Sequence, residues 1–228
     1  MRLKMDQPQS LADVVSIISE LVSDVKFKIT EDGMGLTALD PANVSMVSFF
    51  IPKTSFSSYE SNNETLSVSL DSLKQVLKRC KMGSSLILET EDNLLKIQIL
   101  DKIKRNFTLS LIDINVEDKE LPNLEFSSKV EIDSSDFVSS IEDCSIVSDA
   151  CTFSVKDGKF FIEASGLNSA MSEFSSDEVN IEAENCRAKY SLEYLQKFIK
   201  GSKLSQKTVI RFANDYPLRV DYRNDKVE

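Results

Sequence analysis

One unit recurs four times along this chain: a short amphipathic helix, then a strand, a tight turn, and further strand. From helix start to turn aspartate, 22 residues separate Ser10 from Asp32, 21 separate Asp71 from Asp92, 22 separate Ser135 from Asp157, and 24 separate Ser191 from Asp215. A repeat held this closely in register through 228 residues admits few architectures, because each copy must bury its apolar stripe against a neighbouring copy. Short single helices beside runs of alternating strands place the helices on one face of antiparallel sheets. The expected fold is α+β, two similar domains built from four helix-plus-antiparallel-strand repeats.

The first helix is expected over residues 10–22, where Leu11, Val14, Val15, Ile18, Leu21 and Val22 form one stripe behind Ser10 as N-cap. Strands at 25–30, 34–39 and 44–51 follow. The second copy has a strand at 66–70, a helix capped by Asp71 and stopped near Gly83, and strands at 86–89, 95–100 and 106–112. The third has a strand at 129–132, a helix at 135–144, and strands at 151–155, 159–164 and 170–175. The fourth has a strand at 188–190, a helix at 191–200 ended by Gly201, and strands at 208–212 and 218–222. The turns centre on Asp32-Gly33, Asp92-Asn93, Asp157-Gly158 and Asp215, residues that tolerate positive φ. Residues 113–125 are charged, carry Pro122 and show no sustained period. They read as a linker between a first domain at 1–112 and a second at 126–228.

Several function classes fall away on residue types. The chain has no histidine, which removes the usual general base, the Ser-His-Asp and Cys-His arrangements, and the commonest metal ligand. Cys80, Cys144, Cys151 and Cys186 lack any C-x-x-C spacing and sit inside apolar patterns, as reduced core thiols do. No apolar run approaches the ~20 residues of a membrane span. The first eight residues lack the apolar core of a leader, so a soluble cytoplasmic protein without membrane, metal or cofactor is expected.

The formal charge is -10, which on average argues against nucleic acid. Its distribution argues otherwise. Lys74, Lys78, Arg79 and Lys81 cluster on the second helix, Lys102, Lys104 and Arg105 in the next hairpin, and Lys197, Lys200 and Lys203 on the fourth helix. The first helix offers only Asp13, Glu20 and Asp24, and the third only Asp136, Glu142, Asp143 and nearby Asp149.

Five segments in order carry a resemblance: Glu31-Asp32-Gly33 through Leu39-Asp40-Pro41-Ala42-Asn43-Val44; Val76-Leu77-Lys78-Arg79; Phe107 through Asp113; Ser145-Ile146-Val147-Ser148-Asp149; and Tyr190 through Leu195 with Tyr216-Pro217-Leu218. Over nearly its whole length the chain resembles the PCNA family of sliding DNA clamps, the archaeal members most closely. The resemblance implies a non-enzymatic processivity factor of DNA replication and repair, a ring of three chains threaded by duplex DNA. Helices would line the hole and sheets would form the outer wall. Lys74, Lys78, Arg79, Lys81, Lys102, Lys104, Lys197, Lys200 and Lys203 would face DNA without reading its sequence. DNA polymerase, flap nuclease and ligase would dock short motif peptides in a pocket of Leu39, Asn43, Val44, Met46, Leu121, Pro122, Phe126 and Pro217, and a clamp loader would open the ring.

The joint between subunits resembles strand addition, an edge near Phe107, Leu109 and Leu111 pairing with a neighbour's edge near Met171 and Phe174. Asp143 would pair there with Arg79, Lys81 or Arg105 of the neighbour. The acidic first helix departs from relatives that place Lys there. The chain also departs from the family after Tyr222, where relatives add a strand and a tail of Tyr-Leu-Ala-Pro type. That departure predicts weaker peptide binding and an open sheet edge. Other readings are a subunit that works only in a heterotrimeric ring, a metal-dependent nuclease built on Asp101, Asp113 and Asp118, and an acidic DNA mimic. The carboxylates of the second sit on a strand end and a linker, and the localised basic helices do not fit the third.

Overall fold

The structure, a computed structural model, describes residues 1–114 and 119–223. Asp118, and the segment after Arg223 where the family departure falls, lie outside them. The chain divides into two compact units, one running to Pro122 and the other starting at Asn123.

The first unit runs β1 (Arg2–Met5), α1 (Gln9–Ile18), β2 (Asp24–Ile29), β3 (Gly33–Leu39), β4 (Met46–Pro52), β5 (Ser58–Glu60), β6 (Glu64–Ser69), α2 (Leu70–Leu77), β7 (Ser85–Glu91), β8 (Leu94–Leu100) and β9 (Lys104–Ser110). Its two sheets have the orders β4-β3-β2-β6 and β5-β1-β7-β8-β9, all antiparallel where paired. Apart from β5, each sheet therefore takes the strands that follow one helix together with the strand that leads into the other. This exchange makes the two repeats fold as one body, since neither repeat completes its sheet alone.

The second unit runs β10 (Ser128–Asp133), α3 (Ser134–Ser145), β11 (Ala150–Lys156), β12 (Lys159–Ser165), β13 (Ser169–Phe174), β14 (Asn180–Ala183), β15 (Cys186–Ser191), α4 (Leu192–Phe198), a 3-10 stretch (Ile199–Leu204), β16 (Lys207–Phe212) and β17 (Arg219–Tyr222). Its sheets repeat the exchange, as β13-β12-β11-β15 and β14-β10-β16-β17. Among the described residues β17 is an edge strand, paired only with β16.

The buried stripes are those the periodicity marks. Leu11, Val14, Val15 and Ile18 of α1 and Leu70, Leu73, Val76 and Leu77 of α2 face the first core. Phe137, Ile141 and Cys144 of α3 and Leu192 and Leu195 of α4 face the second. The second core is organised on Phe153, whose ring meets Phe137, Phe160, Tyr190 and Phe212 at centroid distances of 5.3–6.1 Å, mostly edge to face. All four cysteines are buried free thiols, and burial pushes Cys151 up to about 12.

Local details differ from the sequence reading where tertiary partners decide. Pro8, not Ser10, occupies the cap position of α1, no side chain caps it, and the helix ends four residues early at Ile18. For α2 the cap is Ser69, whose hydroxyl accepts the Ser72 N–H at 3.5 Å; Asp71 sits in the first turn, where its charge favours the helix dipole. Gly201 does not stop a helix. It lies within the 3-10 stretch, where a Cβ would come within 2.4 Å of the Tyr222 ring. Strands β1, β5 and β14 are additions; β1 is only four residues long, yet it sits between β5 and β7 with Leu3 wholly buried.

Asp92, Asp157 and Asp215 do occupy the left-handed region, at φ 52°, 52° and 48°. The first turn works by close approach instead: a Cβ on Gly33 would lie 2.2 Å from the Ile51 carbonyl oxygen across the β3–β4 pairing.

Candidate functional site

The Asp40–Ser45 turn between β3 and β4 is built around one buried carboxylate. Asp40 accepts the backbone N–H groups of Ala42 at 3.2 Å, Val44 at 2.8 Å and Ser45 at 2.6 Å. Its own backbone adds Asn43 N–H to Asp40 C=O at 2.9 Å and Asp40 N–H to Ser45 C=O at 2.8 Å, with Asn43 at φ 56°. A side chain that satisfies three amides removes them from the strand pairing. Val44 is therefore not part of a strand, as the alternation suggests; it stands on the turn, 69% exposed. Leu39 and Met46, half-buried, face each other as register partners at the start of the pair.

Beside this turn lies a cavity of about 210 Å³ within the first unit. Val25, Ala38, Leu39, Pro41 and Ile114 give it an apolar lining, Thr37 and Asn43 are neutral polar groups, and Lys26, Lys28 and Lys119 stand with Asp24 and Asp40 among its charges. Of the residues expected to dock a peptide, Leu39 and Asn43 line it; Val44, Met46, Leu121 and Pro122 do not, although Val44 and Leu121 are exposed. The remaining two belong to the second unit. There Phe126 packs edge to face on Tyr216 at 5.8 Å, and Pro217 is exposed. Lys26 and Lys28 read in the sequence as ordinary outward positions of an alternating strand, and Ile114 and Lys119 fall in the segment read only as a linker.

The basic residues separate into two groups. Lys74 is engaged, donating to Ser19 Oγ at 2.8 Å and pairing with Glu20 at 3.3 Å, which removes it from the freely available charges of α2. Lys197 pairs with Glu193 at 3.3 Å and lies 5.1 Å from the Tyr194 ring centre. By contrast Lys78, Arg79, Lys81, Lys102, Lys104 and Lys203 are exposed and make no ion pair with a described residue. Arg105 is engaged within its own chain. Its guanidinium is paired with Asp101 of the same chain and donates to the Arg79 carbonyl at 3.1 Å. The Ile103 N–H, Arg105 and Ser84 hold the Asp101 carboxyl below its ordinary range.

The strands expected at the joint lie at sheet edges among the described residues. In the first unit β9 pairs, among the described residues, only with β8, and its Arg105, Phe107 and Leu109 alternate, half-buried, with exposed neighbours. Leu111 continues that series just beyond the strand. In the second unit β13 pairs only with β12, with Met171 exposed and Phe174 half-buried against Phe160. Asp143, on the last turn of α3, is exposed. An open edge displays unpaired N–H and C=O groups, which favour a further strand.

Among the described residues no cluster of three or more His, Cys, Asp or Glu could hold a metal, and no helix is long and apolar enough to cross a membrane.

The family described as proliferating cell nuclear antigen, N-terminal domain, matches residues 1–120, and its C-terminal domain matches residues 120–227. DNA polymerase sliding clamp 1 of Thermococcus kodakarensis is 32% identical over 225 residues, covering 95% of this chain and 90% of the relative. The DNA polymerase sliding clamp of Nanoarchaeum equitans is 32% identical over 233 residues, covering 98% and 94%. In fold, the chain is similar to the crystal structure of proliferating cellular nuclear antigen from Entamoeba histolytica, with a TM-score of 0.93 at 21% identity, covering 99% of this chain and 94% of that one.

Proposed function

The chain belongs to the proliferating cell nuclear antigen family of DNA polymerase sliding clamps, which are non-enzymatic processivity factors, and from that premise we propose that three copies close head to tail into a ring around duplex DNA. The observation that carries the reading is the pair of open edges. β9 lies among exposed cations of the first unit, and β13 lies in a unit whose α3 is acidic. Joining β9 of one copy to β13 of the next satisfies both edges and sets opposite charges together.

Within the ring, Lys78, Arg79, Lys81, Lys102, Lys104 and Lys203 supply diffuse attraction to phosphates; Lys74, Lys197 and Lys200 add to it, Lys74 and Lys197 less because they are paired. Residues 113–125 connect the domains at 1–112 and 126–228. The Asp40 turn and the adjoining cavity receive motif peptides from polymerase, flap nuclease and ligase, and a clamp loader opens the ring. A second reading, a subunit of a heterotrimeric ring, is favoured by one observation: α1 and α3 carry no basic residue.

The test is retention on DNA. The chain is loaded on nicked circular duplex with a clamp loader and passed through a gel-filtration column before and after the circle is cut. Co-elution with the circle and loss on cutting support encirclement. Equal retention on both forms overturns it, and a chain that is retained only when mixed with related subunits supports the heterotrimer.

A further inference from the structure

The cavity beside the Asp40 turn owes its place to small residues. Val25, Phe27 and Ile29 of β2 are buried, so Lys26 and Lys28 stand together on the opposite face of the sheet. On one side of them β6 sets Ser67 opposite Lys26 and Thr65 opposite Lys28; on the other, the register partner of Lys28 is Gly35 of β3, which has no side chain. Space is therefore left along the lysine row. The Ile112 N–H, donated to the Ser67 carbonyl at 3.0 Å, ties the chain leaving β9 to this sheet, and Ile114 and Lys119 complete the lining.

The charge of this cavity runs against that of the chain. Lys26, Lys28 and Lys119 line it against two carboxylates, Asp24 and Asp40, in a protein of formal charge -10. Asp40 is largely spent, because its oxygens already accept the N–H groups of Ala42, Val44 and Ser45 and its side chain is buried. The three lysines have partners of their own, so an entering anion competes for them and gains only the difference. At about 210 Å³ the cavity is smaller than the ~300–1,000 Å³ of pockets that enclose a whole small molecule, and it suits one or two side chains of a longer ligand. Leu39, an apolar contact, lines the same cavity as the lysines.

We propose that this cavity is a charge-selective subsite of peptide docking: it takes an acidic side chain, Asp or Glu, of a bound partner segment whose apolar residue rests on Leu39 and the exposed Val44. The inference rests on the peptide-docking reading and adds to it a preference among partners. A carboxylate that reaches the Lys26 and Lys28 ammonium groups is attracted there, and a basic side chain at the same place is repelled, so the lysine row both admits and rejects.

Calorimetry of the full chain tests this with a synthetic motif peptide of the DNA polymerase, extended at one end or the other by three Asp, three Ser or three Lys. A chain of formal charge -10 favours the Lys form by long-range attraction, so a preference for Asp reports on the cavity. At one of the two ends, the Asp form should bind about tenfold more tightly than the Lys form, with the gap closing as salt rises. In the variant carrying Lys26→Glu and Lys28→Glu the order should reverse, while the Ser form keeps its affinity. Equal affinities, or a Lys preference at both ends, overturn the inference. So does a double variant that weakens all three forms alike, which would assign the lysines to shaping the turn. Circular dichroism confirms folding; should the double charge reversal unfold, Lys26→Gln with Lys28→Gln replaces it, and the Asp preference should then vanish. Wild-type chain that binds none of the peptides removes the docking reading itself, an outcome distinct from binding without a charge preference.

Discussion

The two units share one wiring and differ in almost everything laid over it. In both, apart from the short strands β5 and β14, each sheet takes the strands after one helix and the strand leading into the other. The fully buried side chains of the first core are mainly Leu and Ile, such as Leu3, Leu11, Ile29, Ile51 and Leu70, whereas the second gathers Phe137, Phe153, Phe160 and Phe212 around one point. On the surface, α2 and its following loop carry Lys78, Arg79 and Lys81 where α3 carries Glu142 and Asp143. Apolar volume at the right positions is enough to specify the wiring, and different shapes fill it equally well. Charge at exposed positions is then free to differ, and in the proposed head-to-tail ring its inversion between matched elements would serve association.

The largest effect is expected from Phe153→Ala, which removes the ring on which four aromatics converge and costs about 3–5 kcal/mol. Hydrogen exchange should show the loss in β11, β12 and β16 while β2 and β3 keep their protection. Equal loss in both units would break the picture of two separately organised cores. Next is Asp40→Ala. Three amides lose their acceptor, so the first unit should lose about 2 kcal/mol by thermal melting, and motif peptides should bind more weakly by calorimetry. The corresponding β12–β13 turn, residues 166–168, has no aspartate to lose and closes through the Gly166 N–H to Asn168 C=O bond at 2.8 Å. An unaffected peptide affinity in Asp40→Ala would detach the turn from docking. The smallest effect sharpens the charge comparison. Lys78→Ala should weaken duplex binding about threefold and lower the salt slope by about one, read by fluorescence anisotropy. Lys74→Ala, whose lysine is held by Glu20, should change little; the reverse order would mean that the ion pair opens on DNA.

Much of the fold was legible because it is written in repeats and alternation. The helix stripes of Leu73, Val76 and Leu77 or Phe137 and Ile141, and the turn aspartates Asp92, Asp157 and Asp215, need only local geometry to be read. What was hidden depends on partners distant in sequence. β1 is too short to declare a period and exists because β5 and β7 flank it. The place of Val44 is set by a carboxylate four residues earlier, not by alternation. The basic clusters were visible as composition, but Glu20 beside Lys74 and Asp101 beside Arg105 decide which charges remain available, and neither pairing follows from helix position alone.

The opposite charge of matched elements in the two units can be tested by exchanging it. One chain carries Arg79→Glu and Lys81→Glu, a second carries Glu142→Lys and Asp143→Lys, and a third carries all four substitutions; the mass of each in solution is measured by sedimentation. If complementary ends drive head-to-tail assembly, the first two are monomers and the third regains the mass of a trimer. Trimers in either half-exchanged chain, or a monomer when all four charges are exchanged, would contradict it.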